Sequence, residues 1–167
     1  MTRERTSDNS HSSLRFYTRL IIRHPFCDPI SITKELGIKP KVAHMAGDKR
    51  KTPAGTLLQG FYTETLWSHS IRISGSRFFF DAMEPIVKRL EKSRDYLEKL
   101  TTDGGEISIN FDLAGDENIG DLISLDTLQR IAKLNVRLGI EVFPHLPTNS
   151  AKLNENTIQE RFNALDT

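Results

Sequence analysis

Residues 61–113 read FYTETLWSHSIRISGSRFFFDAMEPIVKRLEKSRDYLEKLTTDGGEISINFDL, and periodicity decides how they fold. Thr65, Trp67, His69, Ile71 and Ile73 alternate with Leu66, Ser68, Ser70 and Arg72, the two-residue repeat of a half-buried strand. Met83, Ile86, Val87, Leu90, Leu97 and Leu100 then recur at steps of three, four and seven. That spacing predicts one helix of about five turns with a single apolar stripe. Asp81 and Glu84 stand in capping-box spacing at its start, and Asp103-Gly104-Gly105 supplies its exit. On the strand that follows, Ile107, Ile109, Phe111 and Leu113 face inward, with Glu106, Ser108, Asn110 and Asp112 outward. The unit reads as scaffold, with Trp67 and His69 in the core beneath the long helix.

Toward the N-terminus, Leu14, Phe16, Thr18, Leu20 and Ile22 alternate with Arg15, Tyr17, Arg19, Ile21 and Arg23. This is a strand with one buried face and one basic, partly aromatic face. His24-Pro25 ends it, because proline restricts its predecessor and cannot extend a ladder. Asp28-Pro29 opens a short helix that turns Ile32 and Leu36 to the core and exits at Gly37. Residues 38–56, IKPKVAHMAGDKRKTPAGT, are rich in Gly, Pro and Lys and read as a long exposed loop, with room for one additional strand over 41–62.

Toward the C-terminus, residues 114–124 read as a loop and Ser124 caps a third helix. Its expected apolar side is Leu125, Leu128, Ile131, Ala132, Leu134 and Leu138, with Gly139 at its end and a short strand over 140–143. Ile158, Phe162 and Leu165 place an apolar stripe on a short C-terminal helix, docked on this domain or on a partner.

The chain has 167 residues, 37% hydrophobic and 27% charged, enough for one domain with a proper core. We place that domain at 14–147, between a disordered arm, 1–13, and an extension, 148–167. Apolar runs are a few residues long, against the roughly 20 a membrane helix needs, and no secretory signal is visible. The one cysteine, Cys27, excludes an internal disulfide and suits a reducing cytoplasm. Residues 1–105 carry 18 Lys and Arg against 12 Asp and Glu, and residues 106–167 carry 5 against 10. Two halves that neutralise each other within one fold explain this asymmetry most simply.

Every clear strand has one apolar face and every helix one apolar stripe. Helices therefore cover one face of one sheet and leave the other wet, which requires antiparallel pairing. The expected class is α+β: a two-layer sandwich, its mixed or antiparallel sheet of about four or five strands bearing helices on one face. A strand within 41–62 makes the order ferredoxin-like, with an added α-β unit.

The succession Asp28-Pro29, Ile32-Thr33, Leu36-Gly37-Ile38-Lys39-Pro40, Ala43-His44, Gly47-Asp48 and Trp67 resembles the domain-of-unknown-function 4279 family of small, mainly bacterial proteins. The resemblance covers about Leu14 to His145. It departs at His44, where that pattern more often has an aromatic. It implies a compact cytoplasmic domain; it brings no established activity and no catalytic residues.

Candidate chemistry is weighed against simpler readings. His24, Cys27 and Asp28 suggest a thiol and its base, but a structural cysteine beside a helix start suffices. Asp112, Asp116, Glu117 and Asp121 lack the EF-hand ligand pattern, and no phosphate loop or nucleophile elbow occurs. No cofactor, metal or catalytic residue is expected.

Two surfaces remain as binding candidates. One is the wet face of the first strand, Arg15, Tyr17, Arg19 and Arg23, with Arg72 nearby if the strands are neighbours. The other is the loop with His44, Asp48, Lys49, Arg50 and Lys51. The leading expectation is a non-catalytic protein-interaction module, immunity-like or regulatory, with a protein partner or a second copy. The alternative is a binder of nucleic acid or a small anion through those basic residues.

Overall fold

The computed structural model describes residues 15–73, 78–114 and 120–143. The expectations for the arm and the C-terminal helix lie outside the described residues, as do the side chains of Arg15 and Arg72. The first half holds β1 (Arg15–His24), α1 (Pro29–Leu36), β2 (Val42–His44), β3 (Lys49–Lys51), β4 (Leu57–Phe61) and β5 (Thr65–Ile73). A 3-10 turn (Phe80–Ala82) then leads into α2 (Met83–Glu91) and α3 (Arg94–Thr102), followed by β6 (Glu106–Ala114), α4 (Leu125–Lys133) and β7 (Val136–Phe143).

The main sheet has the order β2-β5-β1-β6-β7, while β3 and β4 pair as a separate hairpin. All main-sheet neighbours are antiparallel except β6 and β7. With the hairpin and β7 set aside, this is the split βαβ arrangement of ferredoxin-like sheets. The α+β sandwich is the fold, and α4-β7 is the added unit.

Handedness accounts for the single helical layer. The connection from β1 to β2 crosses toward one sheet edge, and those from β5 to β6 and β6 to β7 cross the other way. Their strands run in opposite directions, so right-handed crossovers of both kinds pass over the same face. There Phe16, Leu20, Ile22, Trp67, Ile109 and Phe111 of the sheet pack with Ile32, Leu36, Met83, Val87, Leu90 and Leu97 of the helices.

Asp28 caps α1 as expected, its Oδ1 accepting the Ile30 N–H at 2.9 Å, and Pro29 sits where no N–H is needed. Trp67 is fully buried and donates its indole N–H to Thr33 Oγ1 at 2.9 Å, so α1, not the long helix, covers it. His69 is only half-buried, at the rim, with Nδ1 2.8 Å from the Lys39 carbonyl oxygen.

Several elements differ from expectation. The five-turn helix is two helices, α2 and α3, broken at Lys92-Ser93, where the Ser93 N–H turns to the Leu90 carbonyl at 2.9 Å. The seven-residue step from Leu90 to Leu97 keeps the stripe in phase across the break, which hides it from periodicity. Asp81 and Glu84 form no capping box; the start is a 3-10 turn whose Phe80 N–H donates to Asp121 Oδ2 at 2.7 Å. Phe61 belongs to β4, and residues 41–62 hold β2 plus a hairpin instead of one strand.

α4 ends at Lys133, Asn135 turns the chain with φ 54°, and Gly139 lies within β7. Of its expected apolar side only Ile131 and Leu134 are buried. Arg130 sets that rotation by reaching Glu91 at 2.7 and 2.8 Å and Glu84 at 2.9 Å on α2. Among the described residues no helix is long and apolar enough to cross a membrane.

Candidate functional site

The face of the sheet turned from the helices is less wet than its alternation predicts. Ile21, Ser68 and Asp112 point to this side and are buried. Residues of this face and of the β3–β4 hairpin together line a cleft of about 480 Å³. β1 contributes Tyr17 and Arg19, register sets Ser70 of β5 and Asp112 of β6 beside them, and Lys41 to His44 form the edge next to β5. The hairpin closes the cleft with Asp48, Arg50, Lys51 and Leu58.

A tight turn directs the hairpin there. The Asp48 N–H donates to the Met45 carbonyl at 3.1 Å, and Gly47 between them has φ 85°, the left-handed region a type II turn needs at its third residue. The turn is clamped from below: Gly47 N–H to the Tyr62 carbonyl at 2.8 Å, Tyr62 N–H to the Asp48 carbonyl at 2.9 Å, and Ala46 N–H to Thr65 Oγ1 at 3.1 Å. Tyr62 then joins the two sides. Its ring stacks on His44 at 3.5 Å between centroids and 10° between planes, and its hydroxyl meets the backbone N–H and carbonyl of Lys51, each at 3.3 Å.

On the sheet side lies an ion pair. Arg19 donates from Nη2 to Asp112 Oδ1 at 2.7 Å, and its Nε lies 2.6 Å from Oδ2 without hydrogen-bond alignment. Glu141 of β7 approaches the same guanidinium at 3.3 Å. Asp112 is 2% exposed, and burial pushes its carboxyl above the ordinary range while Arg19 pulls it back. The lining carries four cationic side chains, Arg19, Lys41, Arg50 and Lys51, against the two carboxylates Asp48 and Asp112.

The two candidate surfaces thus meet in one place. Tyr17, Arg19, His44, Asp48, Arg50 and Lys51 line the cleft. Arg23 pairs instead with Glu64, and Lys49 lies 4.9 Å over the Phe61 ring. Arg72 of β5 stands directly opposite Tyr17 in the β1–β5 register, so the two strands are neighbours. Sequence reasoning passed over Lys41, Tyr62 and Asp112. Lys41 lies inside the stretch 38–56 that reads as loop and Tyr62 lies beyond it, while Asp112 reads as an outward strand residue next to an acidic loop because its opposition to Tyr17 depends on β1–β6 pairing.

The other candidates resolve into structural roles. His24 Nδ1 accepts the N–H groups of Phe26 and Cys27 at 3.1 and 2.9 Å, so that nitrogen is not turned to the thiol. Cys27 Sγ lies 3.4 Å from Ser31 Oγ and 3.8 Å from the Tyr96 hydroxyl, which burial pushes up to about 12. Asp121 accepts the N–H groups of Phe80 and Leu122, both at 2.7 Å; Asp116 and Glu117 lie outside the described residues. Among the described residues no three His, Cys, Asp or Glu side chains gather as a metal site.

No curated protein and no solved structure matches the chain. The model of a family described as a domain of unknown function (DUF4279) matches residues 11–143, which hold the five-stranded sheet and the helices α1 to α4 of the described residues, and the chain belongs to that family.

Proposed function

We propose that this domain is a non-catalytic binding module that takes a small organic anion with a planar part in the cleft beside the hairpin. The observation that carries the reading is the convergence of four cations and the aromatic groups Tyr17, His44 and Tyr62 on one concavity of about 480 Å³. A low-dielectric wall strengthens charge attraction, and aromatic faces add stacking. Both carboxylates in the lining are engaged, Asp112 with Arg19 and Asp48 with the Met45 N–H at 3.3 Å, which favours binding over acid–base chemistry. The reading keeps the domain in a reducing cytoplasm, where Cys27 stays a thiol.

Adenosine monophosphate and inorganic phosphate serve as probes in an amide chemical-shift titration. Adenosine monophosphate is expected to move the amides of Tyr17, Arg50 and Tyr62, to bind more weakly as salt rises, and to lose roughly tenfold in affinity in Arg50→Ala. Silence of all three amides at about 10 mM of either anion in low salt removes the proposal. An oligothymidylate that binds with a steep salt slope replaces the small anion by single-stranded nucleic acid.

A protein partner, immunity-like or regulatory in setting, is the second reading. Leu57, Leu58 and Phe61 stand exposed on the hairpin beside the cleft, a surface suited to docking a chain with an acidic side chain. Phe61→Asp is expected to abolish capture of such a partner without lowering affinity for adenosine monophosphate. Unchanged capture by that variant excludes the hairpin as the contact.

A further inference from the structure

Leu122, Leu125, Ile140 and Val142 are 93%, 70%, 50% and 61% exposed. Parallel pairing of β6 and β7 obliges the intervening α4 to run back against both strands, which sets its first turn beside the last residues of β7. Ile140 and Val142 alternate in phase with the buried Val136 and so fall on the helical side of β7. On α4, Ile131 and the Arg130 pairs with α2 fix the rotation. Leu125, Leu128 and Ala132 then share a face about a quarter-turn away. The result is an apolar strip at the outer end of the sheet, where the described residues place no strand beyond β7.

We propose that this strip seats the chain's own C-terminal segment, residues 156–166. The chain leaves β7 at Phe143, beside the strip, and the family match also stops at residue 143. Ile158, Phe162 and Leu165 recur at steps of four and three, the spacing of one helix face that fits an apolar strip. Between them and Phe143 lies a tether of about a dozen residues, which spans up to roughly 40 Å. Such tethering gives the segment an effective concentration on the order of millimolar, well above that of a second copy. Residues 1–13 carry no apolar repeat to compete for the site.

Full-length protein tests this in two ways. Amides of 156–166 are expected to exchange at least about tenfold more slowly than a random coil, and to lose that protection in Leu125→Asp, which alters a side chain already 70% exposed. In a Cys27→Ser background, Leu125→Cys with Phe162→Cys is expected to form a disulfide within one chain on mild oxidation. Exchange at the random-coil rate in the parent protein overturns the proposal. So does a disulfide that forms between chains, which assigns the strip to a second copy.

Discussion

His24 is 2% exposed, and its burial and the hydrogen bonds at Nδ1 both disfavour a second proton. Nδ1 accepts two backbone N–H groups, which puts the proton of the neutral ring on Nε2. Burial lowers its pKa below the ordinary 6.5, partly offset by Asp103. The unfolded chain therefore takes up the proton first as pH falls. This stability is fully present above about pH 6.5 and is lost as the solution is acidified below it. Urea midpoints are expected to drop between about pH 6.5 and 5, and His24→Asn, which keeps an acceptor and does not titrate, is expected to flatten that slope. An unchanged slope assigns the acid sensitivity elsewhere. Arg19 makes the complementary case. Arg19→Met leaves Asp112 buried without its ion-pair partner and is expected to cost about 3–5 kcal/mol by denaturant titration. Arg19→Met with Asp112→Leu is expected to recover much of that loss, because no lone buried charge remains.

At the scale of elements, contacts between α1 and β5 set where the first helix lies. Thr33 follows the α1 residue Ile32, which is buried, and its hydroxyl both donates to the Pro29 carbonyl at 3.0 Å and accepts the Trp67 indole N–H. Thr33→Val keeps the shape and orphans a buried donor. It is expected to cost about 1–3 kcal/mol, read as a shift of the urea midpoint with an unchanged slope. A loss below about 0.5 kcal/mol means that water reaches the indole instead. The break between α2 and α3 has a comparable origin in neighbouring elements: Ser93 Oγ donates to the Glu35 carbonyl at 3.1 Å, so the joint is tied to the end of α1. Two short helices let α2 meet α4 while α3 follows β6.

At the scale of the molecule, one helical layer leaves the opposite sheet face to be used. The β3–β4 hairpin uses it, turning an open face into a walled cleft. That geometry moves the functional expectation from a flat contact surface toward a concave anion site, and it makes the salt dependence of adenosine monophosphate binding the most direct measurement on this protein. The charge asymmetry along the chain has a spatial counterpart in Arg19 of the basic part, which pairs with Asp112 and Glu141 of the acidic part, whereas Glu91 and Arg130 cross in the opposite sense.

Local pattern by itself determined the alternation of β1, β5 and β6, the Asp28-Pro29 cap, the burial of Trp67 and the two-layer class, because each depends on residues within about one turn or two pleats of each other. Tertiary structure alone decided the break after Lys92, the rotation of α4, the hairpin inside the Lys-rich stretch and the meeting of Arg19 with Asp112. Those rest on pairings between residues far apart in the chain, such as Arg130 with Glu91, whose partners no periodicity names. The basic strand and the basic loop were both legible as surfaces. That they line one cleft follows from a turn at Gly47 clamped by Tyr62, a long-range fit that spacing along the chain does not encode.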